Sequence, residues 1–283
     1  MILITGASGN LERRVAETLA QHGRPLRLLV KSARGAPEFA GTHLVAGDFA
    51  DPAVLDCAFA GIETAFISFE GVERDMLEQH RGKSIEAARR AGVAHLVYVS
   101  VQGAAPDSTF ADARRHHSIE ELLERSGIPY AALRANLYLD MLPVLFFNAD
   151  VARGHAGDQA AAFVSQDDVE RVVAAALSRP DVIRGVIDVT GPEALTLTEV
   201  ARRLSAIHGR TFRYEYESAA ATQERLERAE SPAEMALSHI EGGVGSYYHE
   251  AIASGTLAAV SDAVTRYTGR PAQPLGSSAT SDP

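Results

Sequence analysis

The sequence predicts an α/β fold: a doubly wound parallel sheet, followed by a smaller C-terminal lobe. Three observations predict it. The chain opens on "ILITGASGNLERR", an apolar run, a glycine turn and an amphipathic stretch, which is the order strand, turn, helix. Up to about residue 135, short continuous apolar runs alternate with helical patterns, as strands buried on both faces do when crossover helices separate them. After about residue 150 that alternation stops and helical patterns dominate.

Each element follows from its own pattern. "MILITGA" is the first strand, and Leu11, Val15 and Leu19 then recur every four residues on one helical face. Leu26 to Val30, His43 to Phe49 and Thr64 to Ser68 are the next three strands. A helix from about Arg74 to Ala91 stops at Gly92. His95 to Val101 is the fifth strand, Asp112 to Arg125 a helix ending at Ser126-Gly127, and Tyr130 to Ala135 the sixth strand. In the second half a helix spans Asp167 to Leu177, and "GVIDVTG" is a strand. "LTLTEVARRLSAIHG" is a helix capped by Thr196 or Thr198 and stopped by Gly209. "FRYEY" alternates like a strand, and residues 218–265 look mainly helical. The expected organisation is a core over 1–150, a mixed lobe packed on it over 151–270, and a loose Pro- and Ser-bearing tail over 271–283.

Charge and composition narrow the function. The formal net charge of −10 argues against nucleic-acid and anionic-membrane partners and leaves a small-molecule substrate. A single cysteine, Cys57, allows no internal disulfide. No basic segment precedes an apolar run at the N-terminus. The most apolar region, Leu133 to Val151, is interrupted by Arg134, Asp140 and Asp150, too often to span a bilayer. A cytoplasmic protein is expected; a homodimer is left open.

The first turn carries the chemistry. Gly6, Gly9 and position 12 are spaced G-x-x-G-x-x-G between a strand and a helix, with Ser8, Asn10 and Leu11 in the same turn. The first glycine permits the tight turn and the second lets backbone approach a pyrophosphate. The helix start supplies N–H donors and the positive dipole end. Position 12, however, is Glu12. With Gly9 as N-cap, its carboxylate sits at the capping-box position and can bond back to the Gly9 N–H; alternatively it is a solvated first-turn acid favoured by the dipole. Glu12 is expected to weaken or exclude NADP(H), unless Arg13, Arg14 or an outward rotamer offsets its charge.

The second strand decides which dinucleotide. NAD sites usually place an acid there for the ribose 2′-hydroxyl. Here Lys31, Ser32 and Arg34 follow the strand, which suits the 2′-phosphate of NADP(H). Asp48 and Phe49, after the third strand, are positioned to border an adenine.

On "TGASGNL", "GDFAD", "AARRAGVAHLVYVSVQGA", "HHSIEELLERSGIPYAALRANLY", "FVSQDDVERVVAAAL" and "GVIDVTGPEALTLTEVARRLSAIHGR", the chain resembles the NmrA-like atypical short-chain dehydrogenases. That family includes NADPH-dependent quinone reductases and triphenylmethane-type reductases. The resemblance covers about residues 1–270 and implies a Rossmann-like core with NADP(H) as cofactor. It implies His116 at the position of an active-site lysine or histidine, beside His117, and Tyr138 as an aromatic group beside substrate. It implies Ser100 and Gln102 near the nicotinamide ribose; topology brings Ser68 and Phe69 near the cofactor as well. The departures are Glu12 for the third glycine, and Leu133-Arg134-Ala135-Asn136 where the family reads Leu-Arg-Asn-Gly. Tyr130 and Arg134 have the spacing of a tyrosine–lysine pair but share a strand, so they are not that pair. No HExxH motif or Cys/His cluster points to a metal. Three functions stay open: an NADPH-dependent reductase of a quinone or similar conjugated carbonyl, an NADP(H) sensor without turnover, and a non-redox enzyme that has lost the dinucleotide.

Overall fold

The computed structural model describes residues 1–68, 77–146, 150–228 and 246–277. Contacts divide the chain into two units. The first comprises Met1–Asp107, Ala111–Ala135 and Val169–Asp188; the second comprises Ser108–Phe110, Asn136–Asp168 and Val189–Pro283. The chain therefore does not divide once near residue 150: it leaves the first unit after the sixth strand and returns to it at Val169.

The first unit is built on a parallel sheet. Its strands are β1 (Ile2–Thr5), β2 (Leu26–Val30), β3 (Thr42–Ala46), β4 (Thr64–Ile67), β5 (His95–Val101), β6 (Tyr130–Ala135) and β9 (Gly185–Val189), in the spatial order β3-β2-β1-β4-β5-β6-β9. The order reverses between β1 and β4, the switch point outside which open α/β sheets bind ligands. β1 and β4 are buried at every residue, which is why both read as unbroken apolar runs.

The helices pack on this sheet with their apolar stripes. α1 (Asn10–Gln21) buries Val15, Ala16 and Leu19. α3 (Leu77–Ala91) ends at Gly92 with φ 72°; the first residues of the expected helix, from Arg74, lie outside the described residues. α4 (Ala111–Ser126) ends at Gly127 with φ 71°. α6 (Gln166–Ser178) precedes β9. One described helix of this unit was not expected: α2 (Pro52–Phe59), whose N-cap Asp51 accepts from the Ala53 N–H at 2.9 Å, with Pro52 opening the first turn.

The second unit contains smaller pieces: α5 (Leu142–Phe146), β7 (Val151–Gly154), β8 (Ala160–Ala161), β10 (Leu195–Thr196), α7 (Leu197–His208), β11 (Arg213–Tyr216) and α8 (Ala219–Glu227). β7 pairs in parallel with β11, and β8 antiparallel with β10. α7 carries a full capping box between Thr196 and Glu199, so Thr196 and not Thr198 is its cap. Within 218–265, helices form over Ala219–Glu227, Ser246–Ala253 and at Ala263–Thr268; residues 229–245 lie outside the described part. The His249 ring packs directly on Gly154, where any Cβ would collide with it. Residues 271–277, expected to be loose, are tied back: the Gln273 N–H donates to Asp168 Oδ2 at 2.7 Å and Leu275 is buried. Among the described residues no helix is long and apolar enough to cross a membrane.

Candidate cofactor turn and active site

The turn after β1 is fixed by one hydroxyl. Thr5 Oγ1 accepts the Ser68 N–H at 2.8 Å and donates to the Ser68 carbonyl at 2.6 Å, clamping the ends of β1 and β4 together. Gly6 then adopts φ 67°, a left-handed conformation that favours glycine. The Gly9 N–H donates to the Gly6 carbonyl at 2.9 Å, and the first helical bond runs from the Arg13 N–H to the Gly9 carbonyl at 3.0 Å. Gly9 is the N-cap of α1 and has no side chain to occupy the anion position. Ser8 and Asn10 are exposed on this turn and Leu11 is half-buried.

Glu12 meets neither expectation. It is not in solvent: the residue is 4 % exposed. Nor is the Gly9 N–H its anchor, since that donor serves the Gly6 carbonyl. Instead Ser68 Oγ donates to Glu12 Oε1, joining the first turn of α1 to the end of β4. The first turn of a helix does favour an acid, but here the acid is drawn inward by a hydroxyl on a neighbouring strand. Ser68, expected near the cofactor, is thereby engaged with Glu12. Phe69 lies outside the described residues.

At the end of β2, Lys31, Ser32 and Arg34 are all exposed, and Ser32 Oγ accepts the Arg34 N–H at 3.1 Å. Among the described residues no acid stands within ion-pair distance of Lys31 or Arg34. Asp48 is exposed, with its Oδ1 accepting the Ala50 N–H at 2.9 Å. The Phe49 ring is buried in the cluster of Leu3, Leu29, Leu55 and Phe59.

Farther along the same edge, Ser100 is 1 % exposed, and its hydroxyl donates to Glu120 Oε1 at 2.6 Å. Glu120, itself buried, accepts a two-point contact from Arg134: Nε to Oε1 at 2.8 Å and Nη2 to Oε2 at 2.5 Å. Ser100 and Arg134 are register partners on β5 and β6, so three elements meet in one ion pair. Beside it, Gln102 Nε2 lies 3.5 Å from Asp188 Oδ2 on β9. Burial raises the Asp188 carboxyl above its ordinary value, against the pull of the Arg134 guanidinium and the Gln102 amide.

The two histidines of α4 differ in surroundings. His116 is half-buried, and its Nδ1 lies 2.7 Å from the hydroxyl of Tyr98 on β5. His117 faces Glu121 one turn along, Nε2 to Oε1 at 3.7 Å. Tyr138 belongs to the second unit. It is half-buried rather than sealed in the core, pairs with Val164 in an isolated bridge, and accepts the Tyr248 hydroxyl on its carbonyl at 2.8 Å. The structure thus groups Gly6, Ser8, Gly9, Asn10 and Leu11 with Ser68 at the switch point, and Lys31 and Arg34 one strand away. Tyr98, Glu120 and Asp188 were not singled out in the sequence. Their partners are 14 to 86 positions distant, and no local pattern announces them.

A doubly wound sheet with a glycine turn at its switch point defines the class of dinucleotide-fold proteins. Within it, residues 1–267 match the NmrA-like family, and the chain belongs to that family. It is 33% identical to the (4-alkanoyl-5-oxo-2,5-dihydrofuran-3-yl)methyl phosphate reductase of Streptomyces griseus, over 97% of this chain and 95% of that one. It is 30% identical to the NAD(P)H azoreductase of Xenophilus azovorans, over 96% and 94% of the two chains. Among solved structures it is similar to the NADPH-dependent quinone oxidoreductase QOR2 of Escherichia coli complexed with NADPH. That match has a TM-score of 0.83 at 27% identity, over 99% of each chain.

Proposed function

We propose that this chain is an NADPH-dependent reductase of a quinone or similar conjugated carbonyl compound. The observation that carries the proposal is the Gly6–Asn10 turn at the start of α1, with the exposed cations Lys31 and Arg34 one strand away. The relatives' names point the same way: two are reductases, and the similar solved structure holds NADPH.

The residues present fit the dinucleotide. Gly6 turns the backbone, side-chain-free Gly9 admits a pyrophosphate to the N–H groups of α1, and Lys31 and Arg34 offer charge to a 2′-phosphate. Asp48 would border the adenine side. When bound, the reduced nicotinamide supplies the hydride. His116 holds the substrate oxygen as negative charge develops on it. His117, engaged with Glu121, is the lesser of the two histidines.

Glu12 favours a second reading, a non-redox enzyme on this fold, because a buried carboxylate near the phosphate turn opposes an anionic ligand. NADPH fluorescence titration, followed by turnover assays across a panel of quinones, separates the readings. Binding with turnover supports the reductase. Tight binding without turnover indicates a sensor, and no binding leaves the non-redox enzyme.

A further inference from the structure

Tyr98 is 2 % exposed on β5, in the same core cluster as Ile119 and Leu123 of α4. Its hydroxyl oxygen lies 2.7 Å from His116 Nδ1, and the two ring centroids are 5.6 Å apart at 33°. Such a contact can be made in two ways, with the phenol donating to a bare nitrogen or the imidazole N–H donating to the phenol oxygen. The chemistry of the partners decides between them. A phenol hydroxyl, with a pKa of about 10, is a far stronger acid than the N–H of a neutral imidazole. The bare ring nitrogen, whose conjugate acid has a pKa of about 6.5, is a far stronger base than a phenol oxygen. A phenol buried this deeply also needs an acceptor for its proton, and Nδ1 is at hydrogen-bond distance.

We propose that Tyr98 is a positioning residue: it donates its hydroxyl proton to His116 Nδ1 and so holds the imidazole in the tautomer protonated at Nε2. The proposal rests on the reading of His116 as the group that meets the substrate oxygen. In that tautomer the neutral ring presents Nε2–H to a carbonyl oxygen. As the carbonyl carbon accepts a hydride, the π electron pair moves onto oxygen, where the Nε2–H hydrogen bond stabilises it. No proton leaves the imidazole, and the oxygen takes its proton from water. The partner on one ring nitrogen thus fixes what the other can do.

The test uses the full chain. Long-range 1H–15N spectra, recorded where the imidazole is neutral, show which His116 nitrogen bears the proton; His116→Gln identifies the signals. The expected result is an Nε2–H ring in the native chain and a growing Nδ1–H population in Tyr98→Phe. The same variant should lower kcat for a quinone by about tenfold with KM held, because one preorganised donor is loosened. An Nδ1–H ring in the native chain, or an unchanged ratio in Tyr98→Phe, overturns the proposal. If Tyr98→Phe does not fold, the native spectrum decides alone. Absence of turnover in the native chain overturns the reductase reading instead and leaves the spectrum to judge Tyr98.

Discussion

The Ser68 hydroxyl donates to the buried Glu12 carboxylate, so the helix that should welcome a pyrophosphate already holds a negative charge in its first turn. Like charges about 5 Å apart repel by roughly 3 kcal/mol at an effective dielectric of 20. That is about a hundredfold in affinity. Glu12→Gly is therefore expected to tighten NADPH binding by at least tenfold, read by fluorescence titration. Unchanged tight binding would show that the Glu12 carboxylate does not obstruct the phosphate site.

Lys31 and Arg34 stand exposed with no acid beside them among the described residues. NADP(H) should be preferred over NAD(H), and Lys31→Ala and Arg34→Ala should each erode that preference. A charge-assisted phosphate contact contributes roughly 1.5–3 kcal/mol, about ten- to hundredfold in affinity. Parallel titrations with both cofactors check this; equal affinities in the native chain would end the idea.

On the reductase reading, His116→Ala should lower kcat by roughly 10²–10³-fold, the usual loss of an oxyanion donor. His117→Ala should change it little, since that ring faces Glu121. Steady-state kinetics with the best quinone substrate discriminate the two, and full activity in His116→Ala would remove its assigned role.

Ser100, Glu120 and Arg134 join β5, α4 and β6. Arg134→Met leaves Glu120 buried without its counter-charge and should cost about 3–5 kcal/mol. Ser100→Ala removes one neutral donor and should cost about 1–3 kcal/mol. Urea unfolding midpoints should fall in that order; the reverse order would show that the ion pair does not hold these elements.

Burial lowers the His249 pKa to about 4, aided by His155 and Arg225 and opposed by Glu217. A histidine held below its unfolded value adds stability at neutral pH, which is lost as pH falls from about 6.5 toward 4. A difference of about 2.5 units corresponds to roughly 3 kcal/mol. His249→Phe should flatten the decline of Tm over this range, measured by scanning calorimetry. Gly154→Ala should lower Tm at every pH by driving a Cβ into the same ring.

The central strands were legible because β1 and β4 are buried on both faces and so written as continuous apolar runs. α7 was legible because Thr196 and Glu199 spell its cap three residues apart. α2 was missed although Asp51-Pro52 announces it, because "PAVLDCAF" is nearly apolar throughout and shows no clean polar face. β8 and β10 have two residues each, too few for any period. At the site, the glycine turn and the β2 cations are local and could be read. The inward turn of Glu12 depends on Ser68, 56 positions away, and the hold on His116 depends on Tyr98 across the sheet.

The return of the chain to the first unit at Val169, ending in β9 beside β6, bears on how the protein can be made and cut. Until β9 has been synthesised, β6 is an unpaired edge of an apolar sheet. A nascent chain or a fragment stopped near residue 150 would present that edge as a template for other chains. Such fragments should aggregate rather than yield a soluble half. The protein should acquire its cooperative fold only late in synthesis, when more than half of the chain is already exposed to its neighbours.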